Sequence, residues 1–129
     1  MRIGEAAAAA GVSTKTLRFY ESRGLLSDPE RGANGYRDYE PEVVGRIGFI
    51  RRGRAAGLTL AQIEDLLEVR DAGEAPCGHV AKALARHLEA LDAQIAELTA
   101  LRAAVATVHV AAAAANPSSC DAGEICSFL

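Results

Sequence analysis

Ser13-Thr14-Lys15-Thr16-Leu17-Arg18-Phe19-Tyr20-Glu21-Ser22-Arg23-Gly24 reads as one short helix with both of its ends marked. Ser13 offers the side-chain oxygen of an N-cap, and Gly24 supplies the left-handed backbone that closes a helix. Immediately upstream, Ile3 to Ala10 is an Ala-rich segment stopped by Gly11, so the order is helix, tight turn, helix. In a helix-turn-helix the second helix enters the major groove, and this one carries Lys15, Thr16, Arg18 and Tyr20. Leu17, Leu25 and Leu26 are placed to pack beneath it. A helical hairpin with no ligand shows the same pattern, so the neighbouring residues have to decide between the two.

They do so at once. Arg31-Gly32-Ala33-Asn34-Gly35-Tyr36-Arg37-Asp38-Tyr39 sets Asn-Gly, the pair best suited to a tight hairpin turn, between two short segments, and reads as a two-stranded wing. Basic and aromatic side chains on a hairpin suit phosphate and groove contact, because Arg offers a two-pronged donor and Tyr a hydroxyl. Pro41, expected at the first helical position, opens a third helix through Val43, Val44, Ile47 and Ile50, which also carries Arg46, Arg51, Arg52 and Arg54 before Gly57. Thr59 and Gln62 then form a capping box for a fourth helix with Ile63, Leu66 and Leu67 on its inner face.

Composition agrees with an α-rich fold. The chain has 129 residues, 50% of them hydrophobic but only 5% aromatic, with no Trp, which argues against both a disordered tail and a β-sandwich. No run of about 18 apolar residues free of charge occurs, and the start lacks the pattern of a signal peptide, so a cytoplasmic protein with no membrane partner is expected. Residues 1–54 hold ten Lys/Arg against seven Asp/Glu, whereas 55–129 hold four against ten. The first part is therefore suited to a polyanion and the second is not.

After the loop at 71–79, Leu84, Leu88, Leu91, Ile95, Leu98, Leu101, Val105 and Val108 recur at steps of three and four, the seam of a coiled coil. One long helix with one apolar stripe needs a partner, and a second copy of the chain is the expected one. Of the histidines, His87 and His109 fall inside this helix and are expected to be structural. An enzyme would need a nucleophile and base such as Cys77 with His79 in a pocket, and no pocket-forming element is visible. A purely helical interaction module would leave the wing and the arginines unexplained.

Across nearly the whole chain the sequence resembles the MerR family of transcriptional regulators. The resemblance rests on Val12 to Leu26, on Asn34-Gly35-Tyr36-Arg37-Asp38-Tyr39, and on Ile50-Arg51-Arg52 with Gly57-Leu58-Thr59-Leu60, Ile63 and Leu67. It implies a mainly α fold: a winged helix-turn-helix domain with linking helices (1–70), a loop (71–79), a long antiparallel dimerisation helix (80–115) and a metal-binding C-terminal loop (116–129). It further implies operator contacts from Arg18, Tyr20, Tyr36 and Arg37, with Lys15, Thr16 and Arg54 as further DNA-binding candidates. Regulators of this kind sit on promoter DNA with RNA polymerase and activate by deforming the duplex so that its two promoter elements align.

The three cysteines find their place within that resemblance. Cys77 precedes the long helix, whereas Cys120 and Cys126 follow it, and a helix of ~30 residues is ~45 Å long. One chain cannot easily close a site from all three thiols, but an antiparallel pair brings Cys77 of one protomer to Cys120 and Cys126 of its partner, giving two equivalent sites per dimer. Thiolates select soft or borderline ions, and in relatives of this kind a Cys rather than a Ser at the position of Cys77 goes with divalent ions. Three thiolates suit Hg(II) or Pb(II), while Zn(II) and Cd(II) prefer a fourth ligand, for which His79, Asp121 and Glu124 are candidates. Cys120 stands nearer to Cys126 than in the mercury regulators, so Hg(II) is not ranked far above Zn(II) or Cd(II). The alternative is a redox sensor of the same family using cysteine oxidation or an iron-sulfur cluster, although a cluster wants four closely grouped cysteines.

Overall fold

Gly11 takes a left-handed φ of 70° and ends the first helix where the sequence places the stop. In the computed structural model, which describes residues 1–27 and 29–129, the order is α1 (Ile3–Ala10), α2 (Thr14–Ser22), β1 (Glu30–Arg31), β2 (Arg37–Asp38), α3 (Glu42–Ala55), α4 (Leu60–Asp71) and α5 (Cys77–Ala114). A 3-10 turn, Pro117–Ser119, follows α5. The chain divides into two compact units, Met1–His87 and Leu88–Leu129.

Local chemistry accounts for the elements of the first unit. Ser13 Oγ accepts from the Thr16 N–H at 3.1 Å and so caps α2. At the start of α4, Gln62 N–H donates to Thr59 Oγ1 at 3.1 Å while Thr59 N–H donates to Gln62 Oε1 at 2.8 Å, the reciprocal capping box. The hairpin pairs Glu30 with Asp38 and Arg31 with Arg37. Its turn is wider than the expected two-residue one. Gly35 N–H donates to Gly32 O at 2.9 Å and Gly32 N–H to Tyr36 O at 2.8 Å, closing a loop in which Gly35 alone is left-handed. A two-residue Asn-Gly turn would need positive φ at Asn34 as well, and Asn34 instead spends its Oδ1 on the Tyr36 N–H.

The core of this unit gathers Leu17 and Tyr20 of α2, Leu25 and Leu26 after it, Ile47 and Ile50 of α3, and Ile63, Leu66 and Leu67 of α4, all buried. At ~1.5–3 kcal/mol for each large apolar side chain removed from water, this cluster is the main stabilising term of the unit. Three of the α3 arginines serve it. Arg46 donates to Leu25 O at 2.6 Å and grips Asp71 with both prongs at 2.7 and 2.9 Å. Arg51 donates to Ala10 O at the end of α1, and Arg54 to Leu58 O in the turn that follows α3.

Two boundaries differ from the sequence expectation. Pro41 is the N-cap of α3 rather than its first residue, although its φ of −56° and ψ of −29° are already helical. The loop expected at 71–79 is shorter, because α5 begins at Cys77 and runs to Ala114 instead of spanning 80–115. Proline just before a helix costs nothing, since its missing N–H would have no partner there, and Pro76 O accepts from the Val80 N–H at 2.8 Å to close the first turn. Val80 and Ala83 pack against the core of the first unit. His87 lies against Gly57, whose left-handed φ of 90° strains any other residue and where an added Cβ would stand 2.4 Å from the His87 Nε2 and displace the ring.

In the second unit the stripe on α5 is uncovered. Leu88, Ile95 and Leu98 are 61%, 61% and 65% exposed. By length and composition α5 is also long and apolar enough to cross a membrane, its most apolar 18-residue stretch having a mean hydropathy of 1.4. Its charged side chains, Lys82, Arg86, Glu89, Asp92, Glu97 and Arg102, all stand before residue 103, and residues 103–114 carry none.

Candidate nucleic-acid interface and thiol sites

Lys15 and Arg18 stand exposed on α2, as a groove-reading helix requires. Thr16 is half-buried, and its Oγ1 accepts from the Ser13 hydroxyl at 3.0 Å, so it belongs in part to the cap. Tyr20 departs from the expectation of an exposed DNA contact. It is only 8% exposed and sits in the core with Leu17, because a step of three residues keeps both on the inner face of α2. Phe19, 46% exposed, is the aromatic that α2 presents to solvent instead.

The wing is fastened to α2 through Glu21. This carboxylate, 7% exposed, accepts from Arg37 Nη1 at 2.7 Å and from the Tyr39 hydroxyl. Burial, and then the Glu21 bond, raise the Tyr39 phenol above its ordinary range. Arg37 is thus shared between holding the wing and any contact beyond it, while Tyr36 is 60% exposed at the tip. Arg2 lies over the Tyr36 ring, its guanidinium carbon 4.2 Å from the centroid, and Arg31 donates to Gly35 O at 2.9 Å across the hairpin. Arg2, Ile3, Arg18, Arg31, Gly35, Tyr36 and Arg37 line one shallow cavity of about 220 Å³. Arg54, another candidate contact, is exposed with one prong on Leu58 O.

Sequence reasoning missed Glu21, Arg2 and Phe19. Glu21 carried no signal because an acidic residue on a DNA-reading helix looks misplaced until its two donors are seen. Arg2 lies before the first periodic residue of α1, where a lone basic side chain says nothing by itself.

Cys77, Cys120 and Cys126 are free thiols and all exposed. Cys77 opens α5, and His79 on the same turn is 53% exposed with its Nε2 4.0 Å from Glu74 Oε2. Cys120 closes the 3-10 turn. The Asp121 carboxylate accepts from the Gly123 N–H at 2.8 Å, which shapes the loop between the two C-terminal cysteines. Cys126 lines an apolar cavity of about 400 Å³ with Val105, Val108, His109 and Phe128. Among the described residues of one chain, no group of three or more His, Cys, Asp and Glu comes together as a metal site.

Comparison with known proteins adds to this geometry. The family profile described as MerR HTH family regulatory protein matches residues 1–69, and that described as MerR, DNA binding matches residues 44–108. A mercuric resistance operon regulatory protein of Bacillus cereus is 47% identical over 76 residues, 59% of this chain and 58% of that protein. The HTH-type transcriptional regulator HmrR of Rhizobium leguminosarum bv. viciae is 38% identical over 79% of this chain and 78% of its own length. Among solved structures, the transcription regulator PbrR691 from Ralstonia metallidurans CH34 in complex with lead(II) superposes with a TM-score of 0.78 at 37% identity, covering 93% of this chain and 94% of its own. HiNmlR, a MerR family regulator lacking the sensor domain and bound to promoter DNA, gives a TM-score of 0.59 at 25% identity over 78% and 76% of the two chains.

Proposed function

The chain belongs to the MerR family of helix-turn-helix transcriptional regulators, and from that membership we propose that it is a cytoplasmic, metal-responsive transcription activator. It binds a palindromic promoter as a homodimer and, when a soft divalent ion arrives, distorts the DNA so that RNA polymerase can use it. The effector is Hg(II), or Zn(II), Cd(II) or Pb(II), held by Cys77 of one protomer with Cys120 and Cys126 of its partner. Lys15, Thr16, Arg18, Tyr36, Arg37 and Arg54 supply the DNA contacts.

The observation that carries this reading is the uncovered stripe on a helix that opens on Cys77. Seven apolar side chains from Leu84 to Val105 are exposed in a single chain, five of them by more than half. A second copy covers them, and an antiparallel arrangement of the two brings Cys77 of one protomer to Cys120 and Cys126 of its partner as a three-thiol site. The donor set fits the ion: free thiols become thiolates when a soft or borderline metal displaces their protons. The bound ion supplies bonds that tie the two protomers in one arrangement. His79, exposed on the turn that begins with Cys77, stands available as a fourth ligand for Zn(II) or Cd(II). The lead(II) complex of a protein similar over 93% of this chain supports a heavy-metal effector.

Mixed dimers test it. Combining Cys77→Ser chains with chains carrying both Cys120→Ser and Cys126→Ser leaves one complete site per mixed dimer, so one equivalent of Cd(II) or Hg(II) should produce thiolate-to-metal absorption, and neither mutant homodimer should. Two tightly bound ions on the Cys77→Ser homodimer, with transcription still induced, would place the site within one chain's C-terminal loop. Induction by an oxidant in the presence of a chelator would replace the metal effector by thiol oxidation.

A further inference from the structure

The slot between the start of α1, α2 and the wing holds more positive charge than the wing itself uses. Glu21 is occupied by Arg37 and Tyr39. Among the described residues, Arg2, Arg18 and Arg31, which line the slot, make no ion pair, although Arg31 donates to Gly35 O. Uncompensated guanidinium groups around one small opening favour an anion. The planar fork of Arg matches two oxygens of a phosphate.

Arg2 is the member of this set that nothing in the helix-turn-helix pattern accounts for. It precedes α1 in extended backbone, φ −77° and ψ 162°, so its side chain is not fixed by a helix. The Tyr36 ring does that work, with the guanidinium 4.2 Å above its centroid. A cation is drawn to the negative face of an aromatic ring, and stacking also limits the rotamers of a long side chain. The same contact orients Tyr36, which at 60% exposure has little else to hold it.

We propose that Arg2 is a DNA-backbone contact of this protein, held by the Tyr36 ring so that its fork neutralises a phosphate of its own on the bound duplex, beside Arg18 and Arg31 in the same slot. This inference rests on the DNA-binding reading above, since Arg18 on the groove-reading helix and Tyr36 on the wing line the same slot. The phosphate is one belonging to the duplex that these two elements engage.

Affinity measured against salt tests it, using a duplex from the gene's own upstream region and a scrambled duplex of equal length, with wild type, Arg2→Ala and Arg2→Lys. Each neutralised phosphate adds ~0.9 to the slope of log affinity against log salt, so a fourfold rise in salt should cost the wild type about 3.5-fold more affinity than Arg2→Ala on either duplex. Arg2→Lys should restore the slope, because it keeps the charge, yet bind more weakly than wild type, because it loses the planar fork. A weaker Arg2→Ala with an unchanged slope would overturn the contact and leave only orientation of Tyr36. Equal affinity and slope for all three proteins would remove Arg2 from the interface altogether. Should the wild type bind neither duplex, the DNA-binding reading itself fails, an outcome distinct from both.

Discussion

The two units of this chain treat apolar surface in opposite ways. In Met1–His87 most large side chains at helical spacing are buried, Leu17, Leu25, Ile47, Ile50 and Ile63 completely so, whereas in Leu88–Leu129 the equally regular Leu88, Ile95, Leu98 and Leu101 lie open to water. Periodicity is the same in both. The first unit has several short helices that turn back and cover one another, while the second has a single helix and a short tail. A periodic stripe therefore specifies that a surface must be covered, and the number of neighbouring elements decides whether the chain can cover it alone.

That contrast is broken most severely by placing a charge where the second unit awaits its partner. Leu91→Glu puts one carboxylate on each side of the seam and removes two apolar side chains at ~1.5–3 kcal/mol each, so the protein should sediment as a monomer with a folded first unit. If it sediments as a dimer and binds DNA normally, the seam lies elsewhere. Next in size is Ile47→Ala, a cavity in the closed core of the first unit. It should cost ~2–5 kcal/mol in denaturant unfolding, while Leu101→Ala on the open stripe should leave the stability of a monomeric Leu91→Glu background nearly unchanged. Equal losses at the two positions would erase the distinction between the units.

A smaller effect sharpens the comparison within the first unit. Glu21→Ala removes a negative charge from the DNA-reading helix, which on charge alone should strengthen DNA binding. Because Arg37 and Tyr39 lose their shared acceptor, affinity should instead fall by ~1–3 kcal/mol, measured by titration of labelled duplex. Tighter binding would mean that the wing keeps its place without Glu21. The smallest effect is a pH dependence. Arg46 holds the Asp71 carboxyl below its ordinary range. With the folded value depressed, the contribution is present above the ordinary carboxylate pKa and is lost as pH falls through the folded value. Asp71 is more than half exposed, so the loss should be slight, seen as a small excess acid destabilisation of wild type over Asp71→Asn in melts below pH 4. Parallel melting curves for the two proteins would remove Arg46–Asp71 from the stabilising contacts.

Much of the first unit was legible because its instructions are local. The Ser13 and Thr59 caps, the glycine stops at Gly11 and Gly24, and the inner faces of α3 and α4 each depend on residues within a few positions of one another. What escaped was the partner of each polar side chain. Tyr20 looked like a contact residue by type, yet the face it shares with Leu17 took it inward. Arg46, Arg51 and Arg54 counted in the sequence only as basic side chains carried by the third helix, yet each donates to a backbone carbonyl. Cys77 was expected in the loop before the long helix, and its place on the first turn of α5 was not legible, because the helical start after Pro76 follows from one backbone hydrogen bond and no periodic signal.

By itself the sequence determined the succession of helices and wing, the stripe that needs cover, the excess of basic residues in the first 54 and the three thiols that flank the long helix. These depend on periodicity, capping and composition, which are properties of neighbouring residues and survive without knowledge of the rest of the chain. Only the tertiary structure decided that Glu21 anchors the wing, that the α3 arginines cap backbone, that Gly57 makes room for His87, and that Arg2 lies on Tyr36. Those contacts join residues up to 41 positions apart, and a hydrogen bond or a stacked cation is set by angles and distances of an ångström or less. Packing fixes such distances, and packing is settled by all the elements together.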